Sequence, residues 1–317
     1  DLPRAINRNE RRWIAPLASQ ERARWSPASN ASLRCRDAVR FVAWRDRRPI
    51  GRIAAILDPA FQAAWDGEAG FFGFFDCVDD AACARALLGA AEDWLRGRGA
   101  RRVIGPVNLS THDEVGFLAD GFDDPPSFLT PFNPRYYPAL MEAAGYEAFR
   151  EYHAYRWRPG DALPPLAQRM MRRAEQERPG LRLRAADPGR WEDEARLIRD
   201  LYNRCFGAVW GFVPIGRDEF MERATAFRHF YRPELIRIAE LNGEAVGFAL
   251  LLPDVNEALA KLGGRLLPFG WLRLVWGLRR IAGGRLLLLG ILPEHVGQGV
   301  SVALIAQLMQ IATRIGM

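Results

Sequence analysis

Leu286-Leu287-Leu288-Leu289-Gly290-Ile291-Leu292 runs into Pro293-Glu294-His295-Val296-Gly297-Gln298-Gly299 and then into Val300-Ser301-Val302-Ala303-Leu304-Ile305. The stretch reads as an apolar strand, a two-glycine turn and a helix. That order makes a phosphate cradle, because glycine lets the backbone come close and the free N–H groups of a first helical turn point at an anion. The residues placed to bind are Gly290, Ile291, Leu292, His295, Val296, Gly297, Gln298, Gly299 and Val300. The P-loop is excluded, since no Gly-Lys-Ser/Thr follows. The dinucleotide fingerprint is excluded as well, for want of a third glycine and of an acidic residue about 20 positions on. An ordinary strand-to-helix turn also fits the spacing.

Working back from this stretch, the chain contains the same unit twice. Leu235–Leu241 and Ala245–Leu252 flank Asn242-Gly243, a strong hairpin signal. In the first half, Val39–Trp44 and Ile50–Leu57 flank a turn at Arg45–Pro49. Each hairpin leads to another apolar strand, Gly70–Phe75 or Arg285–Leu292. Each of those leads to a helix, Asp80–Arg96 or Gly299–Ile315, with glycine at its end. The first repeat continues into a strand over Arg102–Val107, a long loop, a helix over Pro134–Ala144 and a last strand over Ala148–Trp157. The second repeat stops at Met317, which reads as a chain truncated at its C-terminus. The first repeat's turn, Asp76-Cys77-Val78-Asp79-Asp80, has no glycine and three carboxylates. Such a turn suits a helix dipole and repels phosphate, so only the second repeat is expected to bind one.

The chain has 317 residues, 49% hydrophobic, with net charge +6. Two domains are the natural division. Lys261 is nearly alone among the arginines, and mild basicity favours anionic partners such as CoA phosphates or lipid headgroups. Arginines spread along the chain and balanced by Asp and Glu give no nucleic-acid footprint. Four cysteines without C-x-x-C spacing point to a reduced, cytoplasmic protein. The histidines (His112, His153, His229, His295) are scattered, so no metal site is expected. The first residues are charged and polar, unlike a signal peptide, and no apolar run is long enough to span a membrane.

Between hairpin and phosphate strand the second repeat carries an insertion, 256–284, read as two short helices with breaks at Gly263-Gly264 and Pro268. In the second helix Trp271, Leu274, Val275, Leu278 and Ile281 share one face, with Arg273, Gly277 and Arg280 opposite. A helix of this kind suits peripheral contact with the inner membrane through 268–282, or a lid over a long acyl chain. An ordinary packed helix with a solvated face fits equally.

The turn at Gly297 and Gly299 resembles the pyrophosphate loop of the GNAT superfamily of N-acyltransferases, Gln/Arg-x-x-Gly-x-Gly/Ala, which holds acyl-CoA. Glu294 stands at its first position. Val296 and Gln298 stand where relatives usually carry arginines, so a weaker grip on pyrophosphate follows. Further motifs are Gly70-Phe71-Phe72-Gly73-Phe74-Phe75, Gly105-Pro106-Val107-Asn108-Leu109-Ser110-Thr111-His112-Asp113-Glu114-Val115-Gly116 and Asp120-Gly121-Phe122-Asp123-Asp124-Pro125-Pro126. With Pro131-Phe132-Asn133-Pro134-Arg135-Tyr136-Tyr137, Trp210-Gly211-Phe212-Val213-Pro214 and Leu267-Pro268-Phe269-Gly270-Trp271, they make nearly the whole chain similar to a bacterial group of tandem GNAT-fold proteins. That group includes bacterial ceramide synthases, which pass a fatty acyl group from acyl-CoA to the amine of a sphingoid base. The resemblance implies an α/β (α+β) fold of two tandem GNAT-like mixed-sheet domains. Residues 1–158 would form a degenerate domain, and 159–317 an acyl-CoA-binding domain that lacks its last strand and helix. The tyrosine that often protonates the departing thiolate would lie beyond Met317.

Amide formation needs a neutral amine, a base for its proton and donors for the thioester oxygen. Backbone N–H groups near Gly290 to Leu292 suit the oxygen. His112, Asp113 and Glu114 are the candidates for the base, since two acids and an imidazole in one loop shift each other's pKa. Asn108, Ser110 and Asp113 can also serve merely to satisfy the loop's backbone. Asn108, Trp210, Phe212 and Trp271 are candidates for substrate contact, and the same aromatics can be core residues. Three functions follow: an acyl-CoA-dependent N-acyltransferase on a lipid-like amine, an acetyltransferase on a small polar amine, or a degenerate lipid- or partner-binding protein.

Overall fold

A computed structural model describes residues 2–162, 164–177, 180–228 and 230–317. His229 lies outside them. The chain packs as two units, the first made of Asp1–Tyr152, Trp210–Val213 and Ala258–Leu274, the second of His153–Val209, Pro214–Glu257 and Val275–Met317.

In the first unit, three short helices, α1 (Leu2–Ile6), α2 (Ala18–Arg24) and α3 (Ala31–Arg34), precede a four-stranded sheet. Strands β1 (Asp37–Arg45) and β2 (Arg48–Leu57) form a hairpin through Asp46 and Arg47, whose φ values of 48° and 60° suit the right-handed twist of the strands. Helix α4 (Pro59–Ala64) leads to β3 (Ala69–Cys77). Helix α5 (Ala81–Arg96) then crosses to β4 (Arg102–Ile104), which pairs parallel to β3. The sheet order is β1-β2-β3-β4. Asp80 starts α5 by accepting from the N–H groups of Ala82 (2.8 Å) and Cys83 (3.0 Å). The buried stripe of α5, Cys83, Leu87, Leu88, Ala91 and Leu95, meets Phe72, Phe75 and Tyr137 in one core, where Tyr137 opens α6 (Tyr137–Ala143). The opposite face of the sheet buries Ile56, Phe61, Phe71 and Val213.

Strand β3 carries a bulge. Arg52 opposes Asp76 and Ala54 opposes Gly73, so Phe74 and Phe75 share one partner position. Phe74 takes φ 50° there. The chain after β4 lies directly over Gly73, where an added Cβ would stand 2.1 Å from the Val107 carbonyl oxygen. A Gly73→Ala protein should therefore lose about 3 kcal/mol of stability, the upper end of the cost of overpacking. Denaturant unfolding measures the loss, and an unchanged midpoint would mean that the loop is free to lift away.

The second unit contains α7 (Pro165–Glu177), β5 (Leu181–Ala185), α8 (Trp191–Phe206) and α9 (Arg217–Phe227). The hairpin of β6 (Ile236–Leu241) and β7 (Glu244–Pro253) turns at Asn242-Gly243 (φ 54° and 88°). Helices α10 (Asn256–Leu259) and α11 (Gly270–Leu278) precede β8 (Gly284–Ile291), and α12 (Val300–Arg314) follows it. The sheet order is β5-β6-β7-β8 with every pairing antiparallel. The fold is thus α+β with two four-stranded sheets. The first sheet is mixed, and the second, expected to be mixed as well, is antiparallel among the described residues with β8 at its edge. Val300, Leu304, Leu308 and Ile311 of α12 pack on Leu235, Ala239, Val246 and Ala249, the i, i+4 stripe of an amphipathic helix.

Two expectations are corrected. Residues 148–157 form no strand. Phe149 stands edge-on to Trp210 (5.0 Å), Arg150 covers both rings (4.8 and 5.1 Å), and Tyr152 and Tyr155 are exposed. The segment is held by side-chain contacts rather than by a backbone ladder. In α11 the expected single face is divided: Leu274, Leu278 and the buried Ile281 turn inward at i, i+4 and i+7, while Trp271 and Val275 stand in the open with Leu272 and Trp276. The apolar residues are too many for one inward stripe, and the helix buries none of its residues.

Candidate functional site

Two regions hold the residues singled out above, one in each unit. In the first unit the loop after β4 begins as a continuation of the strand, with Val107 N–H donating to the Phe72 carbonyl (2.8 Å). It then folds back on itself. Asn108 N–H donates to Glu114 O (3.0 Å), Gly116 N–H to Pro106 O (2.8 Å), and Val107 and Val115 form an isolated bridge. A closed loop of this kind presents its tip rigidly.

Asn108 ties the loop to the bulge. Its Oδ1 accepts from Phe74 N–H (2.7 Å), and its Nδ2 donates to Glu114 Oε2 (3.2 Å). Burial raises the pKa of Glu114, opposed by the positive charge of Arg24 and by the Asn108 bond. Asp113 has a different setting, accepting from Ser110 Oγ (2.9 Å), while its own N–H donates to Ser110 O (3.0 Å). Ser110 is fully buried and also accepts from His112 N–H (3.2 Å). These are the bonds of a turn closing on itself. The His112 ring stands edge-on to Phe212 (5.4 Å).

Trp210–Val213 seals the loop. Thr111 Oγ1 donates to Gly211 O and Trp65 Nε1 donates to Phe212 O, both at 2.6 Å. Phe212 and Val213 are buried, and Trp210 is half-buried against Phe61 (6.2 Å) and Phe149. Trp210 and Phe212, candidates for substrate contact that fall within the 159–317 expected for the second domain, pack on the loop of the first unit.

A group that sequence reasoning had read only as a phosphate-repelling turn residue is Asp76. It pairs with Arg52 (2.6 Å), which also lies 3.8 Å from Glu21 of α2. Burial pushes the Asp76 carboxyl up to about 6, against the pull of Arg52. Its neighbours, Glu21 of α2, Arg52 of β2 and Tyr137 of α6, come from three elements far apart in sequence. Only its position in an otherwise apolar strand could have marked it.

In the second unit, Leu292 N–H donates to Val246 O (2.9 Å). Antiparallel pairs alternate, so Gly290, opposite Phe248, also bonds toward β7, and the N–H of Ile291 points away from it. Of the three amides expected to meet the thioester oxygen, that of Ile291 is the one β7 leaves over. Beyond β8, Pro293–His295 makes a single tight turn. Gln298 fixes the rest by donating from Nε2 to Glu294 O (2.8 Å) and lying 3.2 Å from His295 Nδ1. Glu294 pairs with Arg204 (3.4 Å), and Val296 and Gly297 are exposed. Gly299 is the N-cap of α12 at φ 83°, and no side chain caps the helix from that position.

The first repeat differs at the matching place. Val78 N–H donates to Ile50 O as Leu292 N–H does to Val246 O. Only Asp79 and Asp80 then intervene before α5. The Asp80 carboxylate occupies the first-turn amides and is pulled down to about 2 by its bond to Arg45 and by those amides. One helix start is closed by a carboxylate. The other is bare, glycine-led and reached by a longer turn.

No family model matches the chain. It is 36% identical over 279 residues to a protein of Caulobacter vibrioides (strain NA1000 / CB15N) named bacterial ceramide synthase, covering 88% of this chain and 72% of that one. The chain belongs to the family of the bacterial ceramide synthase. Protein YghO of Escherichia coli (strain K12) is a second relative, 30% identical over 317 residues, which cover 97% of this chain and 80% of that one. In this member of the family, no group of three or more His, Cys, Asp or Glu among the described residues is placed to hold a metal ion. No helix among them is long and apolar enough to cross a membrane.

Proposed function

We propose that the chain is an acyl-CoA-dependent N-acyltransferase of the GNAT superfamily, acting on the amine of a lipid-like acceptor of the sphingoid-base class. The observation that carries this reading is the contrast between the two helix starts: Asp80 caps α5, whereas the N-terminus of α12 is left to Gly299. Bare first-turn amides behind a glycine turn favour a diphosphate. The kinship with a protein named bacterial ceramide synthase supports the acceptor class.

On this reading Gly297–Val300 hold the diphosphate, with Gln298 and His295 shaping the turn. Ile291 N–H is assigned to the thioester oxygen. The thioester itself supplies an activated acyl carbon and a thiolate leaving group. Glu114 takes the proton of the acceptor's ammonium. Burial raises its pKa, which makes its carboxylate a stronger base than an exposed one. Asn108 holds that carboxylate rather than touching substrate, His112 and Asp113 shape the loop tip, and half-buried Trp210 offers an aromatic wall to an apolar chain.

The test offers the protein short- and long-chain acyl-CoAs together with sphinganine and small polar amines, and identifies products by mass spectrometry. A long-chain amide of sphinganine is expected. An acetylated polar amine as the sole product would replace the acceptor class. No product, together with no binding of any CoA thioester, would leave a binding protein in place of an enzyme.

A further inference from the structure

The positive charge of this chain is concentrated in one place. No Asp or Glu occurs between Glu257 and Glu294, and the stretch holds Lys261, Arg265, Arg273, Arg279, Arg280 and Arg285. These six account for the whole net charge of +6, and the rest of the chain is balanced.

The same stretch exposes its large apolar side chains. Leu267 is 81% exposed, Phe269 68% and Trp276 59%, with Trp271, Leu272 and Val275 close to half. Leu272 and Trp276 lie one turn apart on the outward side of α11, and Arg279 and Arg280 are exposed in the turn that follows it. Arg280 lies over the Trp276 ring at 3.5 Å, which lets the guanidinium stay hydrated at its rim while the indole remains apolar. The residues that precede them in the chain, among them Arg265, Leu267, Pro268, Phe269 and Arg273, line a cavity of about 210 Å³. Two guanidinium groups in a hollow rimmed by apolar side chains match a phosphate head above acyl chains.

We propose that residues 265–280 form a docking surface for a bilayer rich in anionic phospholipid. Leu267, Phe269, Leu272 and Trp276 enter the acyl boundary, and the arginines meet the headgroups. Trp271 belongs to this surface. A soluble protein partner would bring acidic side chains to the arginines but would have no need of four separate apolar prongs standing in water; a lipid surface satisfies both. The inference stands on the surface alone and does not depend on acyl transfer.

The test is flotation of the full chain with phosphatidylcholine vesicles, with and without a substantial fraction of phosphatidylglycerol, in the absence of any acyl donor. Binding is expected to the mixed vesicles, weak to phosphatidylcholine alone, and reduced by salt. Arg279→Gln with Arg280→Gln should lower partitioning about thirtyfold, as expected for two basic residues near the surface. Leu272→Ser with Trp276→Ser should lower it at low salt too. Thermal unfolding and circular dichroism confirm that each variant is folded; because α11 buries no residue, neither pair of changes should alter them. Equal binding to both vesicle types, no binding to either, or a lipid-free dimer that the Leu272/Trp276 variant dissolves would each overturn the proposal.

Discussion

A Gly299→Asp protein should bind CoA thioesters at least about a hundredfold more weakly than the parent, read by calorimetry. Two effects act together. Gly299 sits at φ 83°, where a side chain is strained. More important, an aspartate there would place a negative charge beside the first-turn amides, where the diphosphate would lie, and compete with it for them. Losing two hydrogen bonds to a charged ligand accounts for the hundredfold. Gly299→Ala separates the two effects, since it brings strain without charge and should cost far less. If Gly299→Asp binds as the parent does, the diphosphate is held elsewhere and the donor assignment fails. The reverse change, Asp80→Gly, should not create a second site, because Asp79–Asp80 is a much shorter connection than Pro293–Gly299.

Glu114→Gln should lower turnover about a hundredfold or more, the usual range for loss of a general base. The pH profile carries the sharper prediction. Burial raises the pKa of Glu114, so its carboxylate, the form that accepts a proton, is depleted as pH falls through a value above the ordinary carboxylate range. Turnover of the parent should therefore fall on the acid side through that raised value, and this limb should vanish in Glu114→Gln. Asp76, also raised, to about 6, titrates nearby, so Asp76→Asn is the control and should keep the limb. A Glu114→Gln protein with the parent's rate and profile would remove Glu114 from the chemistry.

The hairpins, the helix after each, and the glycine turn were legible in the sequence because each rests on local rules: period-two apolar runs, Asn-Gly at a turn, an Asp cap, glycine at a helix start. The contact of Thr111 and Trp65 with Gly211 and Phe212 was not legible, since the partners are about a hundred residues or more apart and no local pattern links them. Asp76 was visible as a carboxylate, but its burial beside Arg52 depends on where α2 comes to rest. Residues 148–157 misled because their aromatic content suits a strand, whereas Phe149 meets Trp210 edge-on and Arg150 lies over its ring. Helix α11 misled for another reason: helical periodicity finds a stripe but does not say which side of it faces water.

The bulge in β3 has a stereochemical consequence. The N–H of Phe74 can only donate, so it fixes the oxygen end of the Asn108 amide and turns the nitrogen end toward Glu114 Oε2. A carbonyl oxygen accepts better than a hydroxyl one, so the bond from Asn108 favours Oε1 as the seat of any hydrogen that Glu114 acquires, and a kink in one strand biases which of two chemically equivalent atoms does the accepting.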